Sequence, residues 1–268
     1  MKKRRFIGTR MCLPREIGKG LDLRLARYSG GSSAELRRAF AMPAVGDLRA
    51  RLLALADDSV TGHPEVAALF SHRLGEKAAL KQSLQALVSA KHPLLKAIAE
   101  PMRSLIQSYI AVFHNHMPKD FNLAGASVGN LILTGGYDRS LDPIAFLFGQ
   151  LIKTRGTVRT TTDANLQLEV LLESGRTIIG QHCFTGKETA QIDSPIKAIK
   201  LSGEADDIDT LDASKVCKET RTLIDSAELL VFPPGSFYSS VIANLLPKGV
   251  DKALAKNPSP KVYVPSLG

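Results

Sequence analysis

The fold of this chain is decided by the stretch Val231-Phe232-Pro233-Pro234-Gly235-Ser236-Phe237-Tyr238-Ser239-Ser240. It follows Leu229-Leu230 and leads into the apolar run 241–246. Because proline cannot donate to a strand ladder, the two prolines end the strand, and the residues beyond them are typical of a helix start. We therefore interpret the stretch as a buried parallel strand, a tight Pro-Pro-Gly turn and the first turn of a helix.

This turn has the composition of an anion site. Gly235 lets a ligand approach the backbone closely, and Ser236, Ser239 and Ser240 place hydroxyls beside the unpaired N–H groups of a new helix. In an open parallel sheet, ligands bind beyond the carboxyl ends of the strands, where helix N-termini gather. The alternative is that Ser236 only caps the helix.

Two other turns repeat this pattern of glycine and small polar residues. Gly30-Gly31-Ser32-Ser33 precedes a run of helix formers, and Ser32 or Ser33 would cap that helix. Ser127-Val128-Gly129-Asn130 leads into an apolar run that is either a strand or a buried helix. Asn130 can bond a carbonyl, a ribose or a ring edge through its donor and its acceptor, or it can simply cap.

A charged pair begins another helix. Asp47 stands at its start, and Arg49 and Arg51 fall on its first turns. The two arginines are either ordinary surface charges or, near a Gly-Ser loop, guanidinium groups suited to bidentate contact with phosphate.

The remaining pattern predicts alternating helices and strands. Residues 64–117 read as helices with no strand signal, and residues 143–153, 212–226 and 249–256 also read as helical. Short strands are predicted at 156–162, 166–172, 177–181 and 196–201, and a buried strand is predicted at 261–264. The sequence ends just after this last strand, without the covering helix that normally follows in an α/β fold, so it looks incomplete there. We expect an α/β, Rossmann-like fold: a mostly parallel sheet with helices on both faces, a helical insert over about 63–118 and a small β-rich segment.

Composition narrows the class of protein. The chain has 268 residues with 44% hydrophobic content, which is enough for a substantial core, and it lacks an eighteen-residue apolar run and a secretory signal. Cys12, Cys183 and Cys217 are odd in number and far apart, so they indicate a reducing compartment, and we expect a cytoplasmic protein. His92, His114 and His116 have no second ligand at metal spacing.

The net charge of +9 is concentrated in the divergent basic segment 1–28, which holds nine basic and two acidic side chains. The other residues carry 26 basic and 24 acidic side chains, so no basic face for nucleic acid is indicated. We expect neither a nucleic-acid nor a membrane partner. Phe6-Ile7-Gly8-Thr9 is short for a buried strand, and Leu21–Leu25 alternates as an exposed strand would, so we predict that this segment contributes no central strand.

Six motifs occur in order along the chain: Gly30–Ser33 with Leu36-Arg37, Gly46–Arg49 with Leu53–Leu55, Ser127–Leu131, Gly156–Val158, Gly235–Ser240 with Asn244–Leu246, and Lys261–Val264. Together they resemble the CofD-like family, which contains the 2-phospho-L-lactate transferases and the YvcK-type regulators that bind UDP-sugars. The resemblance covers residues 29–268, which we take as one CofD-like α/β domain. Leu141–Pro143, Gly180–His182 and Thr185–Glu188 are similar to the CofD-like branch of the so-called GAK system.

The resemblance implies a nucleoside diphosphate-linked ligand, a magnesium ion and a cleft lined by Gly30–Ser33, Gly129, Asn130, Gly235, Ser236 and Asn244. The predicted ligand-binding set comprises Gly30, Gly31, Ser32, Ser33, Asp47, Arg49, Ser127, Gly129, Asn130, Gly235, Ser236, Tyr238, Ser239 and Asn244.

The chain departs from the family pattern near its start. Tyr28 and Ser29 stand where the family has an acidic residue or pair, and the family's first Gly-rich loop has no counterpart in residues 1–28. No residue is an obvious nucleophile. Three functions stay open: a transferase of a phosphoryl-linked group, a non-catalytic UDP-sugar sensor and an inactive remnant. A homodimer is a further expectation.

Overall fold

The structure, a computed structural model, describes residues 6–8, 20–24, 31–75, 80–180, 192–203 and 215–266. For residues 6–8, 20–24, 31, 32 and 34 it describes the backbone alone. The chain divides into two compact units, one of residues 1–29 and 156–268 and the other of residues 30–155. Each unit is described by itself.

The first unit contains two sheets. Their strands are β1 Phe6–Gly8, β2 Gly20–Arg24, β3 Gly156–Thr160, β4 Leu166–Leu172, β5 Thr177–Ile179, β6 Ile196–Gly203, β7 Leu229–Phe232 and β8 Lys261–Tyr263. Five of them form a sheet in the order β3-β2-β1-β7-β8, and every pairing in it is parallel. The strand predicted ahead of Pro233 is therefore confirmed as a parallel strand.

Strand β1 is the centre of this sheet, so the prediction that residues 1–28 contribute no central strand is wrong. Ile7 pairs with Leu21 on one side and with Leu230 on the other. A three-residue strand is enough here because both of its edges are hydrogen-bonded, whereas its short length had suggested otherwise. Strand β2 likewise lies between two partners, β1 and β3.

Strand β8 lies at the edge of the sheet and is exposed. Val262 keeps 43% of its accessible surface and Tyr263 keeps 47%. The prediction of a buried strand at 261–264 is correct in position and wrong in burial, since an apolar sequence does not reveal whether a strand has neighbours on both sides.

The second sheet is antiparallel, in the order β5-β4-β6, and corresponds to the predicted β-rich segment. Along β4, buried side chains alternate with half-buried ones, as expected for a strand with one face on a core. Leu168, Val170 and Leu172 lie on the buried face.

Helical segments of the first unit are Lys218–Asp225, a π-helical turn Phe237–Ile242 that continues into Ala243–Leu245, and Val250–Lys256. Ile224, Leu230, Val250 and Ala253 form a buried cluster with Ala227. This cluster fixes β7 against the two longer helices.

The second unit is helical. Its helices are α1 Gly31–Phe40, α2 Gly46–Ala54, α3 Pro64–Ser71, α4 Leu80–Val88, α5 Pro93–Lys96, α6 Met102–His116, α7 Val128–Gly135 and α8 Asp142–Leu151. The helical prediction for 64–117 is confirmed, and the open choice at Val128–Leu133 resolves as a helix. Phe70 and Phe148 pack with ring centroids 3.8 Å apart in the core.

Within the described ranges, no helix combines the length and the apolar character needed to cross a membrane.

Candidate functional site

The start of α7 is bound to the end of α3. Ser127 is fully buried, and its hydroxyl donates to the carbonyl of Phe70 at 3.2 Å rather than capping α7. The N–H of Val128 donates to the carbonyl of His72 at 2.9 Å. Ser127 therefore joins two helices, and its contribution to a ligand stays a prediction.

Gly129 lets α2 and α3 approach the first turn of α7. A Cβ at this position would lie 2.6 Å from the carbonyl oxygen of Phe70 and 2.8 Å from Cδ of Arg49. Both separations are below ordinary contact distance, so only glycine fits the present packing. The glycine of this motif thus has a packing reason independent of any ligand, and it defines where the Arg49 side chain lies.

Arg49, on α2, is half-buried. Its Nε is buried, and it is among the buried side-chain atoms for which the described residues provide no hydrogen-bond partner. Burial lowers the pKa of Arg49, and the positive charge of Arg73 lowers it further. No ion pair among the described residues involves either arginine. A bound anion would relieve this arrangement, because it supplies the opposite charge and a hydrogen-bond acceptor.

Arg73 lies two residues beyond the end of α3 and is exposed. Its Nη1 donates to the carbonyl of Gly125 at 2.9 Å, and its backbone forms an isolated antiparallel bridge with Ser127. Sequence reasoning missed Arg73, because it belongs to no glycine-hydroxyl turn. The only signal is a basic residue two positions beyond the end of a helix.

Asn130 connects α7 to α1. Its side chain is buried, and Nδ2 donates to Oγ of Ser33 at 3.4 Å. Its Oδ1 has no hydrogen-bond partner among the described residues. A buried amide oxygen without a donor costs free energy, so this atom is suited to accept a bond from a ligand N–H or hydroxyl.

The first Gly-Ser motif differs from the expected turn. Helix α1 begins at Gly31, so Ser32 and Ser33 are helical residues rather than N-caps of a later helix. Ser33 is buried, and one turn later Arg37 is buried as well, with 4% of its surface exposed. Gly30 and the side chain of Ser32 lie outside what the structure describes. Asp47, half-buried, lies in the first turn of α2.

The remaining predicted residues follow β7 in the first unit. Gly235 is buried and Ser236 is exposed at the N-terminal boundary of the π-helical turn, where its side chain makes no capping bond. The alternative that Ser236 only caps is therefore not supported. Ser239 is buried, and Asn244, also buried, donates from Nδ2 to the carbonyl of Ser240 at 2.6 Å.

The structure thus brings the predicted residues together in two groups. Around the start of α7 lie Ser33, Arg49, Ser127, Gly129 and Asn130. After β7 lie Gly235, Ser236, Tyr238, Ser239 and Asn244.

The residues that the structure describes contain no all-protein site for magnesium. In the described ranges, no group of three or more histidine, cysteine, aspartate or glutamate side chains could hold a metal ion. Neither group of predicted residues contains a carboxylate, and the whole predicted set contains one, Asp47, whereas a protein cage for magnesium requires several oxygen ligands. No chemical step is therefore assigned to a metal.

Comparison with known proteins identifies the family. A family model described as 2-phospho-L-lactate transferase CofD matches residues 29–267. The gluconeogenesis factor of Bacillus subtilis is 27% identical over 241 residues, covering 88% of this chain and 56% of that protein. The putative gluconeogenesis factor of Thermotoga maritima is 24% identical over 244 residues, covering 89% and 57%. The chain therefore spans a little over half the length of these relatives.

The fold is also found in a solved structure. A crystal structure of a Bacillus halodurans protein of the UPF0052 family superposes with a TM-score of 0.67 at 21% sequence identity, covering 98% of this chain and 69% of that one. This likeness supports the fold alone, whereas the family model extends over most of the sequence and includes every motif described above. The chain belongs to the CofD family.

Proposed function

We propose that this protein binds a nucleoside diphosphate-linked ligand. The observation that carries the proposal is Arg49, a half-buried guanidinium group with an unpartnered Nε beside a second positive charge, Arg73. Two like charges held together without a carboxylate disfavour the charged form of Arg49. A diphosphate supplies the missing negative charge, and its oxygens accept the bidentate bonds that a guanidinium group donates.

A second feature supports the same ligand class. Gly235 and Ser236 follow a parallel strand at its carboxyl end, the position where open α/β sheets bind ligands. The Ser236 hydroxyl is exposed and makes no capping bond, so it is available to donate to a phosphate oxygen. Magnesium, if required, would enter as a complex with the diphosphate rather than through a protein cage.

The test is calorimetric titration with UDP, GDP and inorganic pyrophosphate, with and without magnesium. Arg49→Ala should weaken binding roughly tenfold or more, since it removes a bond to a charged acceptor. The affinity of Arg49→Lys should lie between those of the parent chain and Arg49→Ala, because lysine keeps the charge and lacks the planar guanidinium fork. Arg103→Ala, on α6, removes the same charge from an ion pair with Glu100, which precedes that helix, and serves as the matched control.

Stability measurements separate binding from structure. If Arg49 serves a ligand, Arg49→Ala should leave the free energy of unfolding unchanged or raise it, since it removes an unpartnered buried donor next to a like charge. A large loss of stability with unchanged pyrophosphate affinity would show a structural role and overturn the proposal.

Ser236→Ala gives an independent check in the first unit. We expect a loss of roughly tenfold in affinity for pyrophosphate, with the free energy of unfolding unchanged because no capping bond is lost. A capping role would instead lower stability by about 1 kcal/mol without affecting binding.

The function beyond binding has two candidates. The family model carries the description of a 2-phospho-L-lactate transferase, which favours transfer of a phosphoryl-linked group. In such a reaction, an acceptor oxygen would bond to the transferred phosphorus while the phosphoanhydride bond breaks and a nucleoside monophosphate leaves. Arg49 would stabilise the charge that develops on the phosphate oxygens, and the loops would orient the donor. The relatives named gluconeogenesis factors favour the second candidate, a regulatory protein that binds a nucleotide-sugar without turnover.

The two candidates predict different products. A transferase should release a free nucleotide from its donor only when an acceptor is present, whereas a regulatory protein should bind a UDP-sugar and return it intact. Chromatography of the nucleotide after incubation distinguishes these outcomes. The replacement of the family's acidic residues by Tyr28 and Ser29 favours the second candidate.

A further inference from the structure

Three aromatic rings are exposed together directly after the Gly235–Ser236 turn. Phe237 and Tyr238 begin the π-helical turn, and Tyr263 lies on the edge strand β8. They keep 48%, 40% and 47% of their accessible surface. Large aromatic side chains are normally buried, so a contiguous exposed group marks a surface that binds something.

The rings contact one another edge to face. The centroids of Phe237 and Tyr238 lie 5.2 Å apart at 75°, and those of Phe237 and Tyr263 lie 6.4 Å apart at 64°. These T-shaped contacts support the rings mutually while leaving nearly half of each residue accessible. We call Phe237, Tyr238 and Tyr263 the aromatic platform.

The surroundings of the platform decide which occupant fits. Residues 229–247 contain no charged side chain, and the charged residue of β8, Lys261, donates from Nζ to the carbonyl of Asn257 at 2.6 Å. Hydroxyls adjoin the rings along the chain: Ser236, which is exposed, precedes Phe237, and two of the rings are tyrosine phenols. Rings with hydroxyls at their margin suit a planar ring that also makes hydrogen bonds, rather than a purely apolar chain.

We propose that the aromatic platform stacks the base of the nucleoside diphosphate ligand. This proposal rests on the proposed function, and it adds that this surface binds the base of the ligand. The diphosphate is expected at Gly235 and Ser236, and the platform begins at the next residue, so one ligand can reach both. Every base presents a π face, so stacking explains affinity for the nucleoside without committing to one base.

The chain contains no tryptophan, which allows a single-reporter experiment. In Tyr263→Trp, the new indole keeps a stacking surface and provides the only tryptophan fluorescence. UDP or GDP should quench this fluorescence upon binding, whereas inorganic pyrophosphate should not. Equal quenching by pyrophosphate, or none by either nucleotide, would overturn the proposal.

Affinities give the second readout. Phe237→Leu keeps an apolar side chain and removes the ring that contacts both tyrosines. We expect roughly a five- to hundredfold loss of affinity for UDP and GDP and no change for pyrophosphate. Val262→Ala is the matched control, because successive residues of a strand point to opposite faces and Val262 lies opposite Tyr263.

The outcomes separate this proposal from the proposed function. If UDP binding depends on Ser236 but not on Phe237, the diphosphate site stands and the platform does not. If neither pyrophosphate nor nucleotides bind, both fail. If Phe237→Leu abolishes a concentration-dependent self-association measured by light scattering while UDP affinity is unchanged, the platform is an interface between copies of the chain, and the stacking proposal is wrong.

Discussion

Gly129 shows how a missing side chain positions a charged one. The glycine allows the carbonyl of Phe70 and Cδ of Arg49 to come within 3 Å of the point where a Cβ would stand. The sequence motif suggested a backbone that approaches a ligand, but the close approach observed is between helices. Helix packing thus explains why position 129 is glycine, and the same packing determines where the Arg49 side chain lies.

Gly129→Ala should destabilise the second unit. Alanine gains about 1 kcal/mol in helix propensity, but overpacking against the Phe70 carbonyl costs about 1–3 kcal/mol, so we expect a net loss of up to about 2 kcal/mol. Chemical unfolding followed by circular dichroism measures it.

Gly75→Ala is the control for this substitution, since a Cβ there would meet nothing within 4 Å. We expect its stability to match or slightly exceed that of the parent chain. Equal effects of the two substitutions would show that the contact at Gly129 relaxes without cost.

At the residue scale, sequence could identify the motifs but not their partners. Ser127 and Asn130 were chosen for their hydroxyl and amide chemistry, and both are buried. What sequence did not show is that Ser127 bonds a carbonyl 57 positions earlier and Asn130 a hydroxyl 97 positions earlier. Such long-range contacts depend on helix packing, which no local pattern encodes.

At the scale of elements, helix α5 depends on a histidine cap. His92 occupies the N-cap, and its Nδ1 accepts from the N–H of Leu94 at 3.3 Å. Burial lowers the pKa of His92, and His72, with its ring centroid 5.2 Å away, lowers it further. Protonation would remove the acceptor and therefore the cap.

His92→Asn should make the second unit less sensitive to acid. A histidine whose pKa is lowered by folding stabilises fully above its unfolded pKa of about 6.5, and this stabilisation is lost as the pH falls through the folded pKa. Asparagine caps as well and does not titrate. Between pH values of about 7.5 and 5.5, the parent should lose more unfolding free energy than the variant.

His116→Asn, an exposed position on α6, controls for the replacement of a histidine. His92→Ala should lower stability by about 1 kcal/mol at the higher pH, because it removes the cap altogether. An identical pH dependence of the parent and His92→Asn would contradict the assignment.

Helices and strands could be predicted where a long stretch of sequence showed a clear period. The prediction failed where distant parts of the chain determine the structure. The amphipathic patterns of α6 and α8 and the alternation of β4 are properties of their own residues, and the structure confirms them. By contrast, every residue of Val128–Leu133 is buried, so its apolar side chains show no amphipathic period. The centrality of β1 and the edge position of β8 depend on distant partners.

At the scale of the whole molecule, the parallel sheet depends on β1. Ile7→Pro should disrupt the first unit, because a proline in a central strand removes a ladder hydrogen bond between two paired neighbours. We expect a loss of about 3 kcal/mol or more, measured as reduced hydrogen-exchange protection in β7.

Tyr263→Pro is the matched control at the edge. The carbonyl of Pro260 accepts from the N–H of Leu230, and the N–H of Val264 donates to the carbonyl of Phe232. Because alternate residues of a strand face the same neighbour, the N–H of Tyr263 points away from β7. Its replacement should therefore leave the ladder between β7 and β8 intact. If Ile7→Pro were as mild as this control, β1 would not be the centre of the sheet.

The parallel order of the sheet also governs how the chain folds during synthesis. Phe6 pairs with Leu229, so the central strand meets one of its two neighbours only after about 220 further residues. At a translation rate of about 5–20 residues per second, this delay is on the order of ten to forty seconds. During that time β1 and β2 have no complete sheet to join, and their backbone edges are open to other partners. Residues 30–155 carry their own core and can fold while the first unit waits for its later strands.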